Sequence, residues 1–281
     1  MKKTLPFFRF ILYSNIFITA CAWLMVHQVY DLLLSAPVNP DYAGFVIFST
    51  LCSYSFHWYL TTGSVLPSKR MDWLKKNRWL HVILFFAGLA GAVFFFYRLT
   101  GYWLWLLGAV IPTFLYSAPK IPHPLFRVLR KVAYGKTFFL SFVWTYVTAV
   151  LPLVLSGKSW EPVFTVFILG RFFLVYAICL VFDYRDREDD RHDGVISIIT
   201  NMPEKQIRLL FYTTILLFII STVSLHNYEF SFITVLWLLI PGIITALLFP
   251  LARKNFSDWL YYFVLDGLMA FSALLTLVAR I

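Results

Sequence analysis

The sequence predicts an all-α, polytopic membrane protein: nine transmembrane helices around a cytoplasm-facing cavity, with the N-terminus in and the C-terminus out. Three observations predict it. First, 60% of the 281 residues are hydrophobic and only 14% are charged, against about 45–50% and about 25% in soluble domains. Second, apolar runs that match the thickness of a bilayer core, about 20 helical residues, recur along the whole chain. Third, the basic residues gather in alternate gaps between those runs.

The runs span roughly 10–34, 43–63, 79–97, 102–118, 137–155, 161–183, 207–225, 230–249 and 258–279. Lys2, Lys3 and Arg9 flank the first run, and no small-residue cleavage site follows a short apolar core. It therefore reads as an uncleaved span. The fourth run is short and carries Pro112, which a membrane helix tolerates where neighbours satisfy the freed carbonyl. With the N-terminus in the cytoplasm, all 24 Lys and Arg except Arg98, Lys158, Arg171 and Arg280 fall on the cytoplasmic side, as the positive-inside rule requires. The expected location is the cell (inner) membrane, with the active face cytoplasmic.

The net charge of +10 is accounted for by topology and by attraction to anionic lipid, so no nucleic-acid partner is implied. Cys21, Cys52 and Cys179 lie far apart inside apolar runs, which argues against a zinc or dithiol site. No repeat, low-complexity tract or linker divides the chain, so residues 1–281 read as one domain. The gaps 64–78, 119–136 and 184–206 are too long for simple turns, and long loops in compact domains usually carry function.

Chemistry concentrates in Asp183–Gly194, DYRDREDDRHDG, which holds six of the 14 acidic residues. If the sixth helix continues past the membrane, Asp183, Asp186 and Asp190 share one face. Clustered carboxylates without His or Cys suit a hard cation. Mg²⁺ in particular is held by one or two carboxylates plus substrate phosphates and water. Arg185, Arg187 and Arg191 alternate with these acids, in reach of Glu188 and Asp189, and Gly194 is a natural helix end. The basic stretch YSAPKIPHPLFRVLRK supplies Lys120, Arg127 and Arg130, cations that offset the phosphate charge a metal leaves over. Asn15 and His57 sit near the cytoplasmic ends of the first two runs. Arg171 and Asp266 lie inside runs six and nine, where charges are costly and imply an internal ion pair or a polar cavity.

At this point the residues resemble the UbiA superfamily of intramembrane prenyltransferases. DYRDREDDRHDGVISI is similar to the family's second aspartate-rich motif. TFLYSAPKIPHP, with Tyr116 and Lys120, resembles its span-four end and basic loop, and YSNIF its first helix, where an Asn faces the cavity. The resemblance implies nine helices and transfer of a prenyl group from a polyprenyl diphosphate to an aromatic or lipophilic acceptor. It implies Mg²⁺ on Asp183, Asp186 and Asp190, diphosphate on Lys120, Arg127 and Arg130, and a substrate cavity lined by Asn15, His57 and Tyr116. The family's first aspartate-rich motif is missing: no carboxylate occurs between Asp41 and Asp72. That absence supports an alternative, a non-catalytic prenyl-lipid-binding or assembly protein on the same scaffold. A transporter ranks third, because no inverted repeat is visible. A phosphoalcohol-transferase motif starting at Asp190 fails, since Ser197-Ile198 stands where Ala-Arg belongs.

Overall fold

The computed structural model describes residues 4–61, 63, 68–121, 123, 126, 135–192, 194 and 197–278. Every regular element among them is helical. The chain runs through α1 (Thr4–Tyr13), α2 (Ile16–Leu34), α3 (Pro40–Leu60), α4 (Lys69–Lys76), α5 (Arg78–Arg98) and α6 (Trp103–Ser117). It continues through α7 (Lys136–Leu155), α8 (Pro162–His192), α9 (Ile198–Asn201), α10 (Glu204–Ser224), α11 (Phe232–Ala252) and α12 (Leu260–Val278). Eight segments are long and apolar enough to cross a bilayer: α2, α5, α6 with its flanking turns, α7, α8, α10 with the turn after it, α11 and α12. The protein is therefore an integral, multi-pass membrane protein. Helix α3 has the length of a span, at 21 residues, but its Ser49, Thr50, Ser53, Ser55 and His57 make it more polar than the others.

Local sequence sets the helix ends. The Asn39 side chain accepts from the backbone N–H groups of Asp41 and Tyr42, with Pro40 at the first helical position of α3, where its missing N–H costs nothing. Ser68 caps α4 and Ser231 caps α11 through bonds from Met71 and Thr234, and Ser197 with Thr200 forms a capping box on α9. The first apolar run is not one helix. Asn15 adopts a left-handed conformation (φ 68°) between α1 and α2, one that Asn reaches more easily than most residues. Three spans contain π-helical turns, at Tyr30–Leu34, Tyr146–Val150 and Leu260–Leu265.

Helix α8 packs against α7, α9, α10, α11 and α12, while α2 packs against α3 and α12. Helix α3 lies along α5 at very close range: a Cβ added at Gly88 would stand 2.6 Å from the Cys52 backbone nitrogen. Gly88 is thus required by proximity rather than by conformation.

Three expectations are refined. The 184–206 gap is not a loop, because α8 runs on to His192 and carries Asp183, Asp186 and Asp190 in one helix. The 64–78 gap contains α4. Arg171 does not pair with Asp266. Its guanidinium donates to the carbonyls of Met25 (2.7 Å) and Thr148 (2.9 Å) and to Gln28 Oε1 (2.6 Å). Backbone carbonyls and an amide solvate this charge within the membrane, and Ser272 and Thr276 accept from Gln28 in turn.

Gly88→Val should drive α3 and α5 apart and lower stability by about 1–3 kcal/mol. Thermal unfolding of the purified protein in detergent checks this; an unchanged midpoint would contradict the close packing.

Candidate functional site

Helices α2, α3, α5, α6, α7, α8 and α12 enclose a cavity of about 1440 Å³, to which residues 204–252 contribute nothing. That exceeds the roughly 300–1,000 Å³ of an ordinary small-molecule pocket. Its body is apolar and aromatic, with Phe45, Phe85, Phe96, Phe114 and Trp144 in the wall. Its charged residues come from one end of the bundle: the last turns of α3 and α8, the segment after α6, and the starts of α4, α7 and α12. Alternating helix direction brings these termini to the same side.

The acidic wall belongs to α8. Asp183, Asp186 and Asp190 recur at helical spacing and all three line the cavity. Asp183 and Asp190 are buried. Between them lies the ammonium of Lys136, 3.2 Å from Asp190 and 3.6 Å from Asp183. Thr137 also donates to Asp183. Lys136 therefore offsets one negative charge on the acidic face, and Thr137 satisfies part of Asp183. Asp186 is only partly buried, and among the described residues no side chain pairs with it.

Across the cavity, the end of α3 meets the segment after α6. Lys120 Nζ lies 2.9 Å from His57 Nε2 and donates to Thr61 Oγ1 at 2.7 Å. An ammonium can only donate, so Nε2 is the acceptor, the ring proton sits on Nδ1, and Nδ1–H donates to Ser117 Oγ at 3.2 Å. Tyr116 stacks on the imidazole with centroids 5.3 Å apart. The place where acids were expected by resemblance thus holds a neutral histidine topped by a fixed cation.

A third cluster joins α4, α8 and α12. The buried carboxylate of Asp258 accepts from Ser68 Oγ (3.0 Å), the Arg70 backbone N–H (2.8 Å) and Arg185 Nη2 (2.8 Å). Arg70 and Arg185 are 3% and 4% exposed, so both charges are almost fully withdrawn from solvent. Arg70 lies 3.8 Å over the Trp58 ring and 4.4 Å over Tyr262, and Arg185 lies 4.8 Å over Tyr261 and Tyr262. Burial pulls the Arg70 guanidinium below its usual value, while the neighbouring Asp266 and Asp258 charges oppose that.

His57, Tyr116, Lys120, Asp183, Asp186 and Asp190 all line one cavity. Asn15 does not. Its amide is occupied by Ser55 (3.3 Å) and by Arg70 Nη2 (2.7 Å), so it holds a wall residue in place instead of facing the cavity. Arg127 and Arg130 lie outside the described residues. Arg187 and Arg191 pair with Glu188 at 3.4 and 2.7 Å, as the alternation predicts, but Arg185 turns inward to Asp258. Sequence reasoning missed Lys136, Arg70 and Asp258. The signal was present: in a chain with 14 acids, a lone Asp at the mouth of a span needs a partner. Comparison with family models, with curated proteins and with solved structures finds no match.

The α8 donors suit a hard cation in chemistry, being carboxylate oxygens without sulfur, and Lys136 already stands among them as a cation. Among the described residues, no three His, Cys, Asp or Glu side chains converge to enclose a metal ion. A Mg²⁺ ion at this face would take one or two carboxylates and complete its shell from phosphate and water.

Asp258→Ala leaves the buried Arg185 guanidinium without its carboxylate and the Arg70 backbone N–H without its acceptor, and should cost about 3–5 kcal/mol. Glu204→Ala, on a more exposed pair with Arg253 and Arg187, should cost about 1 kcal/mol or less. Thermal midpoints of the two variants test the ranking. Lys136→Met leaves Asp183 and Asp190 without their cation; its midpoint should fall, and Mg²⁺ should raise it more than it raises the wild type. Equal metal shifts in both proteins would count against a cation site on α8.

Proposed function

We propose that this chain is an intramembrane prenyl-transfer enzyme of the UbiA type, with nine spans that include α3, the N-terminus cytoplasmic and the C-terminus outside. One observation carries the reading. A single cavity joins an aromatic, membrane-buried body to a polar end where Asp183, Asp186 and Asp190 face Lys120 and His57. An allylic diphosphate has that same division, a long apolar chain and a compact polyanion. The basic residues of the segments after α3, α6 and α8 support a cytoplasmic location for that end.

In this reading the diphosphate lies between the α8 face and Lys120, and the prenyl chain runs among the aromatic rings. Lys120, held by His57 and Thr61, presents a pre-oriented ammonium to the leaving group. The allylic C–O bond breaks with its electron pair going to the diphosphate, and aromatic faces stabilise the positive charge left on carbon. Mg²⁺ on Asp186, with Asp183 and Asp190, would supply further charge stabilisation for the diphosphate. A new bond then forms to the acceptor, which releases its proton.

A second reading, a prenyl-lipid-binding or assembly protein without catalysis, is favoured by a different observation. Lys136 already bridges two of the three α8 carboxylates, and His57 stands where the resemblance calls for acids.

Purified protein given radiolabelled prenyl diphosphates of several lengths, Mg²⁺ and aromatic acceptors decides between them. The enzyme should release diphosphate, and Asp190→Asn should slow release by about a hundredfold, the scale on which charge stabilisation of a leaving group acts. Binding without release above the Asp190→Asn level supports the second reading and rules out the first.

A further inference from the structure

We propose that Lys136 is an exchangeable counter-ion: paired here with the α8 carboxylates, it passes to the diphosphate when a divalent cation and a diphosphate enter the cavity together. The inference rests on the reading of the cavity as a diphosphate site. It adds a rule of binding, in which metal and diphosphate each admit the other.

The Lys136 ammonium lies 3.2 Å from both oxygens of Asp190 and 3.6 Å from Asp183 Oδ1, and Thr137 donates to the other oxygen of Asp183. The oxygens through which these two acids would hold a metal are already engaged. Asp186 alone offers one carboxylate; a second comes only when Lys136 gives up Asp183 or Asp190. Lys136 is not sealed behind its partners. Its side chain keeps 20% of its surface, and it lines the cavity together with the three aspartates, His57 and Lys120. It opens α7 directly after Gly135, where an added Cβ would meet nothing within 4 Å. Lysine carries a point charge on a flexible four-carbon stem, so it can change partners where a planar arginine fork would hold its geometry. Lys120 is different, because His57 Nε2 (2.9 Å) and Thr61 Oγ1 (2.7 Å) fix its ammonium on the other wall.

Charge pairing decides when Lys136 moves. A metal taking Asp183 or Asp190 by itself would leave the ammonium unpaired in a largely apolar enclosure, which is costly. A diphosphate by itself would face the α8 carboxylates across a short gap, like charge against like. When both arrive, partners are exchanged. The carboxylates turn to the metal, which completes its shell with phosphate oxygens and water. The ammonium turns to a phosphate oxygen, a partner that lysine binds as a point charge. Every charge stays paired. Metal and diphosphate must then tighten each other's binding by the same factor.

The test uses the full chain in phosphatidylcholine nanodiscs, with Mn²⁺ as a paramagnetic substitute for Mg²⁺ and inorganic pyrophosphate as the head group. Bound Mn²⁺ is read by electron paramagnetic resonance and bound radiolabelled pyrophosphate by filtration, with free Mn²⁺ corrected for its complex with pyrophosphate in solution. In the wild type, pyrophosphate should tighten Mn²⁺ binding about tenfold, a coupling of ordinary size. Lys136→Met should bind Mn²⁺ alone about tenfold more tightly than the wild type and gain little from pyrophosphate. Lys136→Gln, which keeps a donor for the aspartates without the charge, gives the same readout where the methionine variant fails to fold. Lys136→Arg, which keeps the charge, should bind Mn²⁺ alone as weakly as the wild type. A wild type without coupling would overturn the exchange, and so would uncharged variants that keep the wild-type affinity and coupling. If pyrophosphate binds neither with nor without Mn²⁺, the diphosphate reading fails and the exchange with it. Diphosphate release from a prenyl substrate by a chain that shows no coupling would sink the exchange alone.

Discussion

The structure turns on one carboxylate. Asp258 ties the start of α4 to α8 and to its own helix through three donors, and two of those donors belong to residues whose guanidiniums are almost fully buried. A buried charge is tolerated only when it is paired and hydrogen-bonded. Without Asp258, Arg185 would lose its ion-pair partner, and the backbone N–H of Arg70 its acceptor. Arg185 would then no longer be fixed against the rings of Tyr261 and Tyr262. The polar end of the cavity keeps its shape because this one acid closes it.

The same rule explains the different treatment of the chain's other interior charges. Arg171 is satisfied by carbonyls and a glutamine, a neutral arrangement that suits a residue surrounded by packed helices. Asp183 and Asp190 are satisfied by Lys136. The first solution is complete and reads as structure; the second lies in the cavity wall. Asp186 and Asp266 are the carboxyls left open to the cavity, one at its acidic wall and one further along α12.

Much of the architecture was legible in the residues. Apolar run length and the distribution of Lys and Arg located the helices, and eight of the nine runs coincide with span-length apolar helices. The exception, α3, was legible as a helix from its apolar run at 43–63 and carries its polar residues because it borders the cavity. The spacing of Asp183, Asp186 and Asp190 foretold a shared face. What could not be read was pairing across the chain. Arg70 and Asp258 are 188 residues apart and Arg185 and Asp258 are 73 apart, and no local pattern encodes such contacts. Asn15 was read as a cavity residue from the resemblance of YSNIF to the family's first helix. The left-handed turn it adopts redirects that amide to Arg70.

The separation of those partners bears on how the protein comes together in the membrane. Helices α3 and α5 are near neighbours in sequence and can dock as soon as both are inserted. Arg70, which leaves the ribosome between them, must wait for α12 before its backbone finds Asp258. Until then Asn15, made earlier, and the face of Trp58 are its available partners. Contacts of such long range are the slow steps of folding. The polar end of the cavity is therefore the last part to close, and a partly synthesised chain would hold an open, uncapped chamber toward the lipid.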